Sequence, residues 1–123
     1  PLEEKIRISP LVGQACMVGD NRKYLSVLVT LSEQALAQVA GNPSAVEGDV
    51  VKDGEILSAI QAHLDELNTE LASFEQIKRF TVLSRDFTIE NDEMTPSLKM
   101  KRGVIESHYK GVIDAMYAGA RTS

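Results

Sequence analysis

The pattern of hydrophobic and polar positions is most regular between about residues 55 and 74. Apolar side chains recur there at spacings of four, four, three, four and three residues, at Ile56, Ile60, Leu64, Leu67, Leu71 and Phe74. One face of an α-helix has this spacing. The pattern therefore predicts a long helix that packs on the core along this face and turns its acidic residues to water.

Shorter apolar runs predict strands, because they are rich in β-branched and large residues. Residues 14–18 and 24–31 form two such runs, and residues 19–23 between them are turn formers and cations. This arrangement predicts a β-hairpin with a charged tip. Residues 78–84 predict a third strand, which residues 87–89 could extend.

Helix-breaking and capping residues divide the remainder of the chain. A short first helix is expected to end before Pro10. Ser32 can cap a helix over residues 32–39, and residues 40–54 are expected to form a surface loop. A last helix is expected to follow Thr95-Pro96-Ser97 and to reach Tyr117. The predicted fold class is α+β, with a small sheet of about three strands, a β-hairpin plus a further strand, packed with helices.

Length and composition indicate one ordinary domain. The chain has 123 residues, of which 43% are hydrophobic and 25% charged, and its net charge is −5. The negative charge argues against nucleic acid as a partner, since such binding relies on a basic surface. No run approaches the roughly 20 apolar residues of a membrane span, so no transmembrane segment is expected.

The single cysteine indicates the compartment of the protein, and the first residue indicates whether the chain is part of a longer one. Cys16 cannot form an internal disulfide, which favours a reducing compartment. We expect a cytoplasmic location, with peripheral contact with a membrane left open for a full-length protein. The chain opens on Pro1 rather than methionine, and we interpret it as a piece of something longer; removal of a tag from a small intact protein is the alternative.

One basic segment stands out as a candidate for chemistry. Lys99, Lys101 and Arg102 place three cations within four residues, at the predicted start of the last helix. Cations oppose the helix dipole there, so their position suggests an anionic ligand such as phosphate. A basic, solvated helix start is the alternative. Arg22 and Lys23 at the hairpin tip form a second basic spot, which by itself is typical of a soluble turn.

Other reactive side chains are interpreted as structural. His63 and His108 lie on predicted helices without a serine or cysteine motif beside them, and we interpret both as boundary or surface residues. Glu90, Asp92 and Glu93 are taken as solvated turn residues. Cys16 is expected in the core. No Cys/His cluster has the spacing of a zinc site, and no metal ligands are predicted.

Several segments also resemble the C-terminal domain of long-chain acyl-CoA synthetases, which are adenylate-forming (AMP-binding) ligases. The segments are residues 9–14 (SPLVGQ), 18–25 (VGDNRKYL), 74–80 (FEQIKRF), and 87–91 (FTIEN) leading into 95–102 (TPSLKMKR). They match in order, and the likeness runs from Pro1 to about Tyr117. The turn of residues 91–92 usually reads Asn-Gly in this family and here is Asn-Asp, and Ser97 replaces the usual threonine.

The resemblance implies a two-step ligase of fatty acid metabolism. A fatty acid reacts with ATP, in the presence of Mg²⁺, to give an acyl-adenylate and pyrophosphate, and coenzyme A then displaces AMP to give the acyl thioester. In this family a small C-terminal domain closes over a large N-terminal domain, and one of its lysines, here Lys99, reaches the adenylation site. Residues 1–123 would then be a single C-terminal lid domain, with the N-terminal adenylation domain and hinge absent.

Binding residues follow from the same resemblance. Arg22 and Lys23 are candidates for contact with coenzyme A. ATP, Mg²⁺ and coenzyme A would be used by the full-length enzyme, and none would bind tightly to this chain alone. Two other hypotheses stay open. One is a free-standing module that binds a phosphate-bearing ligand or an acidic partner without catalysis, and the other is a regulatory domain with no small-molecule site.

Overall fold

A computed structural model describes residues 2–19 and 22–118 of the chain. The helices, in chain order, are α1 (Leu2–Ile6), α2 (Glu33–Val39), α3 (Gly54–Asn68), α4 (Arg102–His108) and α5 (Lys110–Tyr117). The strands are β1 (Val12–Val18), β2 (Leu25–Leu31), β3 (Val46–Glu47), β4 (Val50–Val51) and β5 (Ile77–Leu83). Two 3₁₀ turns cover Pro43–Ala45 and Ser73–Glu75.

The strands form a single sheet in the order β1-β2-β5-β4-β3. β1 and β2 are the predicted antiparallel hairpin, and β5 lies parallel to β2 on its other side. β4 continues the sheet through an antiparallel pairing of Val50 with Leu83, and β3 pairs with β4. The α+β class is confirmed.

The expected count of about three strands is wrong, because the sheet has five. The two additional strands lie within residues 40–54, which were expected to be a surface loop, and each is only two residues long. Two residues are too few to show the alternation of apolar and polar side chains that identifies a strand in a sequence.

Both faces of the sheet are covered, and β2 lies at the centre of the core. Every residue of β2 except Leu25 is buried. Val27 and Val29 pack in a cluster with α1, α2 and α3, whereas Leu28 packs in a second cluster with α4 and α5. Neighbouring side chains of a strand point to opposite faces, so a single strand serves both clusters.

The long helix is shorter than its apolar pattern suggested. Ile56, Ile60 and Leu64 are buried as predicted, but α3 ends at Asn68. The Asn68 amide donates to the carbonyl of Ile77 and accepts from its backbone N–H, which ties the helix end to β5. Phe74 lies beyond this turn and is 81% exposed, so its placement on the buried face is wrong.

Residues 87–89 and the last helix also differ from expectation. Residues 87–89 do not extend the strand, although Phe87 is buried in the cluster with α4 and α5. The single predicted helix is divided at Tyr109, and its first half begins only at Arg102. This later start changes the interpretation of the basic segment.

Candidate functional site

Lys99 lies on a tight hairpin that we call the Lys99 hairpin (residues 94–100). Met94 and Met100 form an antiparallel bridge across it. The Thr95 N–H donates to the Lys99 carbonyl (2.8 Å), and the Leu98 N–H donates back to the Thr95 carbonyl (2.8 Å). Proline is favoured at the second position of such a turn, where Pro96 stands. The hairpin thus presents Lys99 from a hydrogen-bonded loop.

The placement of Lys99 at a helix start is therefore wrong. The Lys99 carbonyl accepts a hydrogen bond from the Thr95 N–H, as part of the hairpin and not of a helix. Leu98 has a left-handed backbone with φ of +65°. A side chain with a Cβ is disfavoured in that conformation by about 1–2 kcal/mol. The helix α4 can begin only after this residue, and so the helix-dipole argument does not apply to Lys99.

Of the three cations in the basic segment, two have structural partners. The Lys101 ammonium lies 2.5 Å from a carboxylate oxygen of Asp92. Arg102 forms a two-pronged ion pair with Glu3, at 2.5 and 2.6 Å, and donates to the Met17 carbonyl (3.3 Å). These contacts join the hairpin's C-terminal end to the first helix and strand.

Lys99 differs from both of these neighbours. Its side chain is exposed, and no ion pair or side-chain hydrogen bond of its ammonium occurs within residues 2–19 and 22–118. It lines a groove of about 490 Å³ whose wall includes Arg7, Gln14 and Ala15 together with both bridging methionines. A cation without an internal partner at the rim of a groove is available to a ligand or to another domain.

A buried carboxylate anchors the other end of the hairpin. Glu93 is fully buried, and its carboxylate accepts hydrogen bonds from Arg85 (3.2 Å) and from the backbone of Thr88 (3.3 Å), and lies 2.8 Å from Nδ1 of His108. Its backbone carbonyl accepts from the Lys101 N–H (2.8 Å). The interpretation of Glu93 as a solvated turn residue is thus wrong.

Two carboxylates of the site have lowered pKa values. Burial raises the pKa of Glu93, but hydrogen bonds from His108 and Arg85 outweigh it and hold that pKa below its usual range. Burial likewise raises the pKa of Glu3, while hydrogen bonds from Arg102 and the Met17 backbone bring it below its usual value. Both groups therefore favour the ionised form in the folded chain.

The second basic spot lies on a different cleft. Arg22 pairs with Asp114 (2.8 Å), and its guanidinium lies 4.9 Å from the centre of the Tyr117 ring. It lines a cleft of about 400 Å³ with Gly103, Glu106, Ser107 and Lys110. Lys23 is exposed beside it. The other tip residues, Asp20 and Asn21, lie outside the described residues.

The remaining candidates have structural surroundings. Cys16 is fully buried as predicted, and burial raises the pKa of its thiol to about 11. The His63 ring nitrogen Nε2 lies 3.0 Å from the Lys5 carbonyl at the surface. Within the part of the chain that the structure describes, no group of three His, Cys, Asp or Glu side chains is placed to hold a metal ion, and no helix is long and apolar enough to cross a membrane.

Nearly the whole chain matches one known protein family. The family of AMP-binding enzyme C-terminal domains matches residues 1–121. The long-chain-fatty-acid–CoA ligase FadD15 of Mycobacterium tuberculosis is 32% identical over 94% of this chain and 20% of its own length. The human long-chain-fatty-acid–CoA ligase ACSBG1 is 30% identical over 95% of this chain and 19% of its own length. The chain thus spans about a fifth of the length of these relatives.

Solved structures of adenylation enzymes share the fold. The A-PCP didomain of carboxylic acid reductase from Segniliparus rugosus, in complex with AMP, superposes with a TM-score of 0.75 at 29% identity. It covers 99% of this chain, which corresponds to 16% of that structure. The adenylation domain of the carboxylate reductase from Mycobacterium chelonae gives a TM-score of 0.74 at 30% identity, over 95% of this chain and 17% of that one.

Proposed function

The chain belongs to the family of AMP-binding enzyme C-terminal domains, and from this membership we propose that it is the C-terminal lid domain of a long-chain-fatty-acid–CoA ligase. Residues 1–123 form one such domain in this proposal, and its partner is the N-terminal adenylation domain of the same protein. The full-length enzyme activates a fatty acid with ATP to an acyl-adenylate and then transfers the acyl group to coenzyme A. We place it in the cytoplasm.

The observation that carries the proposal is the state of Lys99. It is the cation of the basic segment without an internal partner in the described part of the chain, and it is held on a hairpin whose two ends are anchored by Glu93 and Arg102. A lysine has a compact charge on a long stem, which suits it to reach across a domain interface. Anchoring of the loop limits the positions that this charge can take.

Adenylation brings together the negative charges that Lys99 would stabilise. In this step the fatty-acid carboxylate attacks the α-phosphate of ATP and pyrophosphate leaves, so two anionic groups meet and negative charge passes to the phosphate oxygens and the leaving pyrophosphate. An ammonium about 4 Å away at an effective dielectric constant of about 20 contributes about 4 kcal/mol for each unit charge. Fixed charge of this kind is often the largest catalytic contribution. We propose that Mg²⁺ enters bound to the phosphates of ATP, as it commonly does in such enzymes.

The proposal is tested by comparing the full-length protein with the isolated chain. With ATP, Mg²⁺, a long-chain fatty acid and coenzyme A, we expect the full-length protein to form acyl-CoA. The isolated chain should show no ATP–pyrophosphate exchange, because the nucleotide and acyl sites would lie on the other domain. Acyl-CoA formation by the isolated chain, or a full-length protein that does not activate fatty acids, would contradict the proposal. The latter result would favour a domain that binds a phosphate-bearing ligand or an acidic partner without catalysis.

Arg22 and Lys23 are proposed to bind the phosphates of coenzyme A. Cations form strong charge-assisted hydrogen bonds with phosphate. Replacing both by alanine in the full-length enzyme should raise the KM for coenzyme A about tenfold, equivalent to about 1.4 kcal/mol, and leave adenylation unchanged. Steady-state kinetics with varied coenzyme A measures this effect.

Asp114→Asn is the matched control for the coenzyme A prediction. This change removes the negative charge that faces Arg22 and keeps both cations. It should therefore leave the KM for coenzyme A unchanged or lower it. An unchanged KM in the double alanine variant would mean that Arg22 and Lys23 do not bind coenzyme A and are ordinary solvated turn residues.

A further inference from the structure

Leu98 combines two properties that are unusual for a leucine. Its backbone has φ of +65°, a conformation that favours glycine, and its side chain is 70% exposed. Asp92 has a similar φ of +63°, but aspartate tolerates this conformation, and its carboxylate pairs with Lys101. Leucine has no polar group with which to form such a contact.

Exposure alone would not distinguish Leu98 from other surface residues. Ile8 is 74% exposed and Phe74 is 81% exposed, and single exposed apolar residues are normal. Within residues 2–19 and 22–118, however, only Asp92 and Leu98 are non-glycine residues with positive φ. Leu98 is therefore the one described residue in which an exposed apolar side chain stands on a disfavoured backbone. Strained residues of this kind cluster at functional sites, where a side chain can have a use outside the fold.

We propose that Leu98 is an apolar anchor that inserts into an apolar pocket of the adenylation domain and thereby seats Lys99 at the adenylation site. The inference rests on the proposed function of Lys99. Leu98 is the residue immediately before Lys99, so the Cα atoms of the two lie about 3.8 Å apart. An anchor at this position fixes the root of the lysine side chain relative to the other domain.

The surroundings of Leu98 fit a partner that is apolar next to an anionic site. Leu98 and Lys99 line the same groove, with the apolar side chains of Met94 and Met100 in its wall. The chain spans about a fifth of the length of the curated relatives named above, and the two solved structures named there are adenylation enzymes. Given the proposed function, Leu98 therefore contacts the surface of the adenylation domain that lies beside the bound acyl-adenylate.

The role of Leu98 as a positioning residue is tested with three variants in the full-length enzyme. Leu98→Ala keeps the Cβ but removes the apolar anchor, and should slow adenylation about tenfold or more, since small misplacement of a catalytic group is costly. Leu98→Met restores apolar volume and should recover most of the rate. Leu98→Gly relieves the backbone strain, which outweighs the greater freedom that glycine gives the unfolded chain, so the isolated chain should become more stable, with a roughly threefold to tenfold smaller unfolding constant, while adenylation falls.

Controls separate this proposal from the proposed function. Phe74→Ala removes an equally exposed apolar side chain and should leave adenylation unchanged, whereas Lys99→Ala should abolish most of it. Wild-type adenylation by Leu98→Ala, or no gain in stability in Leu98→Gly, would overturn the anchor. The same holds if Leu98→Ala retains adenylation but weakens binding to anionic phospholipid vesicles, since the leucine would then face a membrane. If Lys99→Ala also adenylates normally, the proposed role of Lys99 fails, whereas a full-length protein that forms no acyl-CoA would refute the proposed function itself.

Discussion

Replacing Lys99 by alanine in the full-length enzyme is expected to slow acyl-adenylate formation by roughly 10²–10³-fold. Removal of one fixed charge from a site of this kind costs about 3–4 kcal/mol of transition-state stabilisation. The Lys99 side chain is exposed and has no internal partner in the described part of the chain, so its loss should not unfold the domain. ATP–pyrophosphate exchange in the presence of a fatty acid measures the effect.

Lys101→Ala is the matched control for the Lys99 experiment. Lys101 lies two residues away and has the same charge, but its ammonium pairs with Asp92 on the surface. We expect this variant to adenylate within a few-fold of the wild type. A larger loss for Lys101→Ala than for Lys99→Ala would show that the wrong lysine has been assigned to the site.

The largest effect on folding is expected from Glu93→Ala. The change leaves Arg85 and His108 without their shared carboxylate and removes an acceptor from the Thr88 N–H. Both partner side chains are about 40% exposed, so water replaces part of the lost interaction. We therefore expect the free energy of unfolding at pH 7 to fall by about 2 kcal/mol, less than for fully buried ion pairs. Urea denaturation of the isolated chain provides the measurement.

The pH dependence identifies the ionised carboxylate as the source of that stability. Glu93 has a lowered pKa in the folded chain, so its contribution is present above the unfolded value of about 4.3 and disappears as the pH falls through the folded value. The stability difference between wild type and Glu93→Gln should therefore shrink below about pH 4. Glu90→Gln, an exposed neighbour, should have little effect at any pH. A difference that is constant from pH 7 to pH 2 would mean that ionisation is not involved.

Local patterns in the sequence predicted the elements whose cause is also local. Ile56, Ile60 and Leu64 face the core because a helix repeats every 3.6 residues, and that period is visible without any knowledge of tertiary structure. The β1–β2 hairpin is similarly evident from two apolar runs and a short polar turn. The end of α3 is not evident from the sequence, because it depends on hydrogen bonds between the Asn68 side chain and the backbone of Ile77, which follows the turn.

Most of the site depends on contacts between distant residues. Glu93 is buried and contacts Arg85 and His108, which lie 8 and 15 residues away, and Arg102 pairs with Glu3 across 99 residues. A charged residue in a polar turn gives no sign of such burial. Leu98 could not be anticipated either, since leucine is disfavoured in the left-handed conformation that it adopts. Lys99 was assigned by resemblance, and its helix-start rationale proved wrong.

We propose that Lys99 acts in adenylation and not in thioester formation. A lid that rotated between the two steps would bring the lysine to the site in one and withdraw it in the other. The most direct measurement is the single-turnover rate at which wild-type and Lys99→Ala full-length enzymes convert prepared acyl-adenylate and coenzyme A to acyl-CoA. We expect rates within about threefold of each other, whereas adenylation should differ by roughly 10²–10³-fold. An equal loss in both steps would contradict it and make Lys99 a structural residue.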